Sequence, residues 1–283
     1  MSIEKRMIQM RVLVSSTQDI ASQTISNLLR DEHGFEETGE TFEGNPVYSL
    51  GSSALLITTE RDMIFADHLE QHFEAEVFIF CSRHRAQSGR PALLVHSTGN
   101  FGDDASYGGA PRSLSVSIAS LMSVALRSLQ KERARRRLEE FDITLEVTHH
   151  GPTTMNTPLL FVELGSGEAY WQHEEGARSV AAAVMECIRA PIESESSIGF
   201  GGTHYASKFN KLVLEKDVRI GHIAPKYALN EIDVDVIQHM ISRSKEKVSR
   251  AIIDWKGTNA ENKARIFPIL EECGLDFIRA SKI

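Results

Sequence analysis

Apolar positions along the chain follow two rhythms. Short apolar runs bounded by Gly, Pro or Ser read as buried strands, and longer stretches with helical spacing separate them. "RVLVSS" (11–16) reads as a strand after a polar lead-in, and "DIASQTISNLLRDE" as a helix capped by Asp19. "SALLITTE" (53–60), "AEVFIFCS" (75–82) and "PALLVHSTGN" (91–100) are further strands, the last closed by a Thr-Gly-Asn turn. From Ser113 a long helix is predicted to about residue 140, apolar in its first half and basic in its second. "ITLEVTHHGPTTMNTPLLFVELG" (143–165) has the form of a hairpin, two apolar runs about a Gly-Pro turn. Residues 174–190 form a helix stopped by Pro191. "SSIGFGGTHYASKFN" and "KDVRIGHIAPKYAL" each begin as a strand and end in a Gly/His turn, and helices from about Asn230 and Asn259 complete the chain. Strands interleaved with helices predict an α/β layered sheet. The expected organisation is one unit over 1–283, with a sub-lobe around 101–140.

The length of 283 residues, with 41% hydrophobic and 25% charged residues, is that of an ordinary globular protein. No apolar run approaches the roughly 18 residues of a membrane span. The start lacks a signal peptide's apolar core. Three cysteines at wide, odd spacing, without a C-x-x-C, argue against a disulfide framework or thiolate cage and make a reducing cytoplasm the expectation. A net charge of -8 argues against indiscriminate coating of nucleic acid but leaves room for a local basic footprint. "KERARRRLEE" (131–140) is either a solvated helix end whose cations suit the C-terminal dipole or a phosphate-contact surface.

The histidines change the picture most. Of 11, six (His84, His96, His149, His150, His204 and His222) fall at or just past the carboxyl end of a predicted strand. Ligands of open α/β sheets bind beyond such ends, so parallel neighbours would bring these imidazoles to one rim. Adjacent residues of an extended segment point to opposite faces, so one of His149 and His150 is expected to face the site. Glu163 shares a face with Phe161: it is either inward, and then paired or metal-bound, or on an edge strand facing water. Imidazoles and carboxylates are the nitrogen and oxygen ligands of zinc. His96, His149, His150, Glu163, His204 and His222 are enough in number for two ions, and acid–base work without metal is the other option. No G-x-S-x-G elbow, Walker loop or dinucleotide fingerprint is present.

"SRHRAQSGRPALLVHSTGNFG", "HHGPTTMNTPLLFVELGS", "GGTHYASKF", "IGHIAPKYAL" and "DWKG", in this order, resemble the archaeal and plant type of D-aminoacyl-tRNA deacylase, from the first strand to the last helix. The resemblance implies a three-layer α/β/α sandwich with a central mixed, mostly parallel sheet, similar to the phosphorylase and peptidyl-tRNA hydrolase type. It also implies a cytoplasmic zinc enzyme that proofreads translation by hydrolysing the ester of D-aminoacyl-tRNA, and a monomer is the expected state. Thr203 and Ser207 stand where the family's Gly-Gly-Gly-His-Tyr-Ala-Pro-Lys run has Gly and Pro, which affects the shape of that loop. The implied roles are catalysis by His150, His204 and Lys208, metal binding by the six ligands above, and substrate contact by His84, Asn100, Tyr205, Lys208 and Lys226. A zinc peptidase or amidohydrolase and a non-catalytic tRNA-binding module are the competing readings. The basic helix argues against a small peptide substrate.

Overall fold

The computed structural model describes residues 10–283; the expected polar lead-in over 1–9 lies outside them. The strands are β1 (Arg11–Ser16), β2 (Glu36–Phe42), β3 (Asn45–Leu50), β4 (Ala54–Thr59), β5 (Val77–Arg83), β6 (Ala92–His96), β7 (Asp142–Leu145), β8 (Leu159–Gly165), β9 (Glu195–Phe200), β10 (Ile220–Ala224), β11 (Lys247–Ile253) and β12 (Phe277–Arg279). The α-helices are α1 (Ile20–His33), α2 (Ala119–Arg136), α3 (Glu168–Trp171), α4 (Glu174–Arg189), α5 (Ser207–Glu215), α6 (Val234–Ser242) and α7 (Ala260–Glu272). The Asp19 carboxylate accepts the Ser22 N–H and starts α1, and Gly34 ends it in the left-handed region. Asn259 caps α7 in the same way. Asp233, not Asn230, caps α6, so the chain before it closes into a 3-10 turn over 226–231.

Eight strands form one sheet in the order β2-β3-β4-β1-β5-β8-β6-β7. This is the large, mixed, mostly parallel sheet with flanking helices that the resemblance implies. The four strands β9–β12 form a second, all-parallel sheet in the order β10-β9-β11-β12. The faces of β1, β5 and β8 carrying Leu13, Ile79, Cys81, Leu160 and Val162 pack under α1, α2 and α4. That core continues through Ile220, Ile223 and Ile252 of the small sheet. The opposite face of the small sheet packs on α6 and α7. The opposite face of the large sheet, with Phe78, Phe80 and Phe161, is covered by the 3-10 turns over 63–71 and by the 150–158 loop.

Two expectations change, and one pair of strands is new. The 143–165 segment is not a hairpin: β6 lies between β7, its parallel partner, and β8, its antiparallel partner. The long helix starts at Ala119 rather than Ser113, because 113–118 runs extended, with Ser115 N bonded to the Thr98 carbonyl and Ser117 N to that of Arg243. The β2–β3 pair was not signalled, since β2 is exposed at every position but Phe42 and carries no apolar rhythm. No helix among the described residues is long and apolar enough to cross a membrane.

Candidate active site

The site stands on an aromatic floor. Phe80 of β5 and Phe161 of β8 stack with centroids 4.6 Å apart. Two residues along β8, on the same face, Glu163 is 4% exposed. Because β8 is an interior strand, Glu163 cannot turn to water, and the inward alternative holds. His96, at the end of β6, lies opposite Phe161, stacks on it at 5.3 Å, and brings Nε2 to 3.6 Å from Glu163 Oε1.

Both adjacent histidines enter this site, which overturns the expectation that only one would. His150 adopts φ 43 in the left-handed region, a conformation that costs about 1 kcal/mol or more for a non-glycine residue, and this turns its ring back beside that of His149. Gly151 makes the turn possible, since a Cβ there would sit 2.3 Å from Gly109 N and 2.4 Å from the Ile64 carbonyl oxygen. The ring centroids lie 4.4 Å (His96–His149), 4.9 Å (His96–His150), 4.5 Å (His149–His150) and 4.6 Å (His149–His204) apart. Since β6 and β7 run opposite to β5 and β8, the imidazoles approach from both directions along the sheet rather than from one rim of parallel strand ends.

The orientation of three rings is set by the backbone. Nδ1 of His96 meets the Ser97 carbonyl at 3.1 Å, Nδ1 of His149 that of Val147 at 2.8 Å, and Nδ1 of His150 that of Gly151 at 2.6 Å. A carbonyl only accepts, so each Nδ1 carries the proton, and a ring that is neutral leaves Nε2 as a bare lone pair. The three rings can place one nitrogen each within 4.8 Å of one another. Burial, with the neighbouring imidazoles, holds His149 well below the usual histidine range and His150 at about 4. Burial acts the same way on His96, but the Glu163 carboxylate overrides it and raises that ring.

Glu146 is the central residue that the sequence reading overlooked. It is buried, 3.2 Å from His84 Nε2 and 3.1 Å from His204 Nε2. Burial would raise its carboxyl, yet His204 and His84 hold it well below the carboxylate range. Its distances to those rings are those of ion pairs, but neither oxygen has a properly directed hydrogen bond, and His96 Nε2 is likewise unpartnered. Buried acceptors left open in this way suit a cation or a reacting molecule. Alternation placed Glu146 on the face of Thr144, Thr148 and His150, which was the available signal. A second possible ligand set, Glu146, His149 and His204, shares His149 with the first.

The cluster opens into a cavity of about 1090 Å³. Asp19, Asp62, Asp103, Asp104 and Glu231 join Glu163 in its lining, against Arg83 and Arg85, so its walls are acidic. Burial raises Asp19 to about 6, against N–H donation from Ser22 and Arg83. Asn100 holds the 101–112 loop as one wall by donating to the Gly108 and Ala110 carbonyls. His84 bonds Ser166 Oγ through Nδ1 at 2.7 Å, and Tyr205 packs edge-on to it and to His204.

Three expected participants stand apart. His222 is fully buried in β10. Its Nε2 lies 3.1 Å from the Ser115 and Arg243 carbonyls and must donate, and its Nδ1 accepts from the Ser97 or Thr148 hydroxyl. With both nitrogens engaged it has no lone pair for a ligand, so it is a structural histidine. Lys208 and Lys226 lie in a neighbouring cavity of about 280 Å³, where Lys208 pairs with Asp254. Neither lysine lines the cavity of the imidazole cluster, where a catalytic role for Lys208 was expected. Three arginines of the basic helix end are engaged locally: Arg133 caps the Leu138 and Glu139 carbonyls, and Arg135 and Arg136 pair with Glu132.

Residues 71–278 match the sequence profile of a family described as D-aminoacyl-tRNA deacylase. Curated relatives carrying that name include one from Thermococcus onnurineus, 38% identical over 280 residues, with 95% of this chain and 100% of the relative aligned. Those of Pyrococcus horikoshii (36%, covering 95% and 100%) and Methanocaldococcus jannaschii (34%, covering 95% and 98%) are similar. The crystal structure of a conserved protein of unknown function superposes with a TM-score of 0.89 at 30% identity, covering 97% of this chain and 96% of the other.

Proposed function

We propose how the site works from one premise: the chain belongs to the D-aminoacyl-tRNA deacylase family. It is a hydrolase that cleaves the ester of D-aminoacyl-tRNA to free D-amino acid and tRNA. Its metal, its residue roles and its place in the cell are our reading. The activity belongs in the cytoplasm as quality control of translation, carried out by a monomer.

His96, His149 and His150 are the residues that would hold zinc. The donor set is the observation that carries this: three clustered imidazoles, each with Nδ1–H fixed on a backbone carbonyl, two of which, His149 and His150, burial holds neutral. Ring orientation by a carbonyl partner is how zinc-binding histidines are usually held. Three nitrogen ligands with an open fourth position are the catalytic type of zinc site. Bound zinc would supply a Lewis acid for the ester carbonyl and lower the pKa of water.

The remaining groups move protons and orient substrate. Glu146, kept ionised by His84 and His204, is the base in reach of a water entering the cluster. His204 faces the cavity with Nε2 on Glu146 and Tyr227 Oη at 3.3 Å from its Nδ1, and can deliver a proton to the leaving ribose oxygen from that Nδ1 side. The acidic walls suit the substrate's α-ammonium group. Zinc content and D-tyrosyl-tRNA deacylation, measured on the wild type and on His149→Ala, test the reading. About one zinc per chain, lost with activity in the variant, is expected. A variant that keeps both zinc and rate contradicts it.

A further inference from the structure

Beside the acidic cavity lies a second one of opposite charge. Its lining includes Lys208, Lys226, Lys256, Gly202 and Gly257, with Asp254 as its one carboxylate. Asp254 is already occupied by Lys208 and by the Gly257 N–H. Lys226 and Lys256 are exposed and have no ion-pair partner among the described residues. Gly202 takes φ of 87 in the left-handed region and lines the cavity together with Gly257, so the backbone itself forms part of its wall.

The two cavities are separated by consecutive residues. Thr203 faces the small one and His204 the large one, and Lys226 and Tyr227 divide in the same way. Consecutive Cα atoms are about 3.8 Å apart, so a ligand reacting at His204 reaches the lysines across a single-residue wall. Aromatic surface marks the mouth of the large cavity. Tyr107 and Tyr227 are 71% and 64% exposed there, although large apolar rings gain nothing by facing water alone. Exposed rings beside cations are the platform-and-funnel arrangement that receives single-stranded nucleic acid.

We propose that the cavity formed by Lys208, Lys226, Lys256 and Gly202 holds the phosphate on the 5′ side of the tRNA's terminal nucleotide, with Tyr227 as a stacking surface between phosphate and ester. This rests on the deacylase reading and adds to it which part of the tRNA the enzyme grips. The charge division supports the assignment. A phosphate is repelled by the carboxylates of the large cavity, whereas the cationic amino acid is drawn to them. The ester end and the phosphate end of one nucleotide therefore sort into different compartments.

The test is inhibition of D-tyrosyl-tRNA deacylation by adenosine 5′-monophosphate and by adenosine, on the wild type and on Lys226→Ala/Lys256→Ala. The nucleotide should inhibit the wild type about tenfold or more better than the nucleoside, as expected for charge-assisted contacts. In the double variant that gap should close, and KM for the tRNA should rise about tenfold to a hundredfold with kcat nearly kept. The Lys226→Arg/Lys256→Arg protein should recover both. Equal inhibition of the wild type by nucleotide and nucleoside overturns the phosphate site while leaving deacylation intact, and so does an unchanged KM in the alanine variant. A wild type inert toward D-tyrosyl-tRNA overturns the deacylase reading and this inference with it.

Discussion

Each imidazole in the site is defined by where its Nδ1 proton goes. His96, His149 and His150 give theirs to main-chain oxygens and keep Nε2 free, whereas His222 spends both nitrogens on the fold. Replacing His96 by Ala should therefore empty the zinc site and lower deacylation by about 100-fold or more, with zinc content as the check. His222 should instead affect stability. Its folded pKa of about 4 lies below the ordinary 6.5, because burial disfavours the cation. The neutral ring's contribution is thus full above pH 6.5 and lost as pH falls toward 4, about 3 kcal/mol in all. Urea unfolding of the wild type and of His222→Gln should show a stability difference that shrinks over that window; a difference flat with pH refutes the assignment. Glu163 was legible as a candidate from strand alternation, and the interior place of β8 then decided between its inward and edge readings. Glu146 was not, because what makes it central is His84 and His204, each about 60 residues away in sequence.

Among the elements, the 150–158 loop does most to build the site, and its support comes from a neighbouring turn. Asp67 accepts from Thr153 N, Thr154 N and Thr154 Oγ1, and Glu70 from Asn156 N, Thr157 N and Thr157 Oγ1. These two carboxylates pin the chain that follows His149 and His150. Asp67→Ala should cost about 1–3 kcal/mol, seen as a melting point a few degrees lower, and should lower the deacylation rate at least ~tenfold. Stability lost with full activity would show that the loop does not position the imidazoles. Most strands and helices were readable from apolar rhythm and caps, among them Asp19 and Asn259. The insertion of β6 between β7 and β8 was not, since strand order is fixed by contacts distant in sequence. The joint entry of His149 and His150 depended on one left-handed residue, which alternation cannot foresee.

At the scale of the whole molecule, an acidic chain of net charge -8 must still receive a polyanion. The arginines of 133–136 do not serve that purpose, being tied to carbonyls and to Glu132 at the end of α2. Their presence therefore does not separate a tRNA substrate from a peptide, as the sequence had suggested; the family membership does. The exposed lysines beside the site are the better-placed cations, so deacylation at sub-saturating tRNA should weaken as salt rises, with a logarithmic slope of about -0.7 per phosphate held. A salt-independent kcat/KM would contradict that. The central claim is a zinc-bearing imidazole cluster that hydrolyses the D-aminoacyl ester. The most direct measurement of it is the deacylation of matched D- and L-tyrosyl-tRNA before and after complete chelation, with zinc then restored. Cleavage of the D ester alone, abolished by chelation and recovered with zinc, is the predicted result; equal rates on both esters, or an undiminished rate in fully metal-free protein, would contradict it.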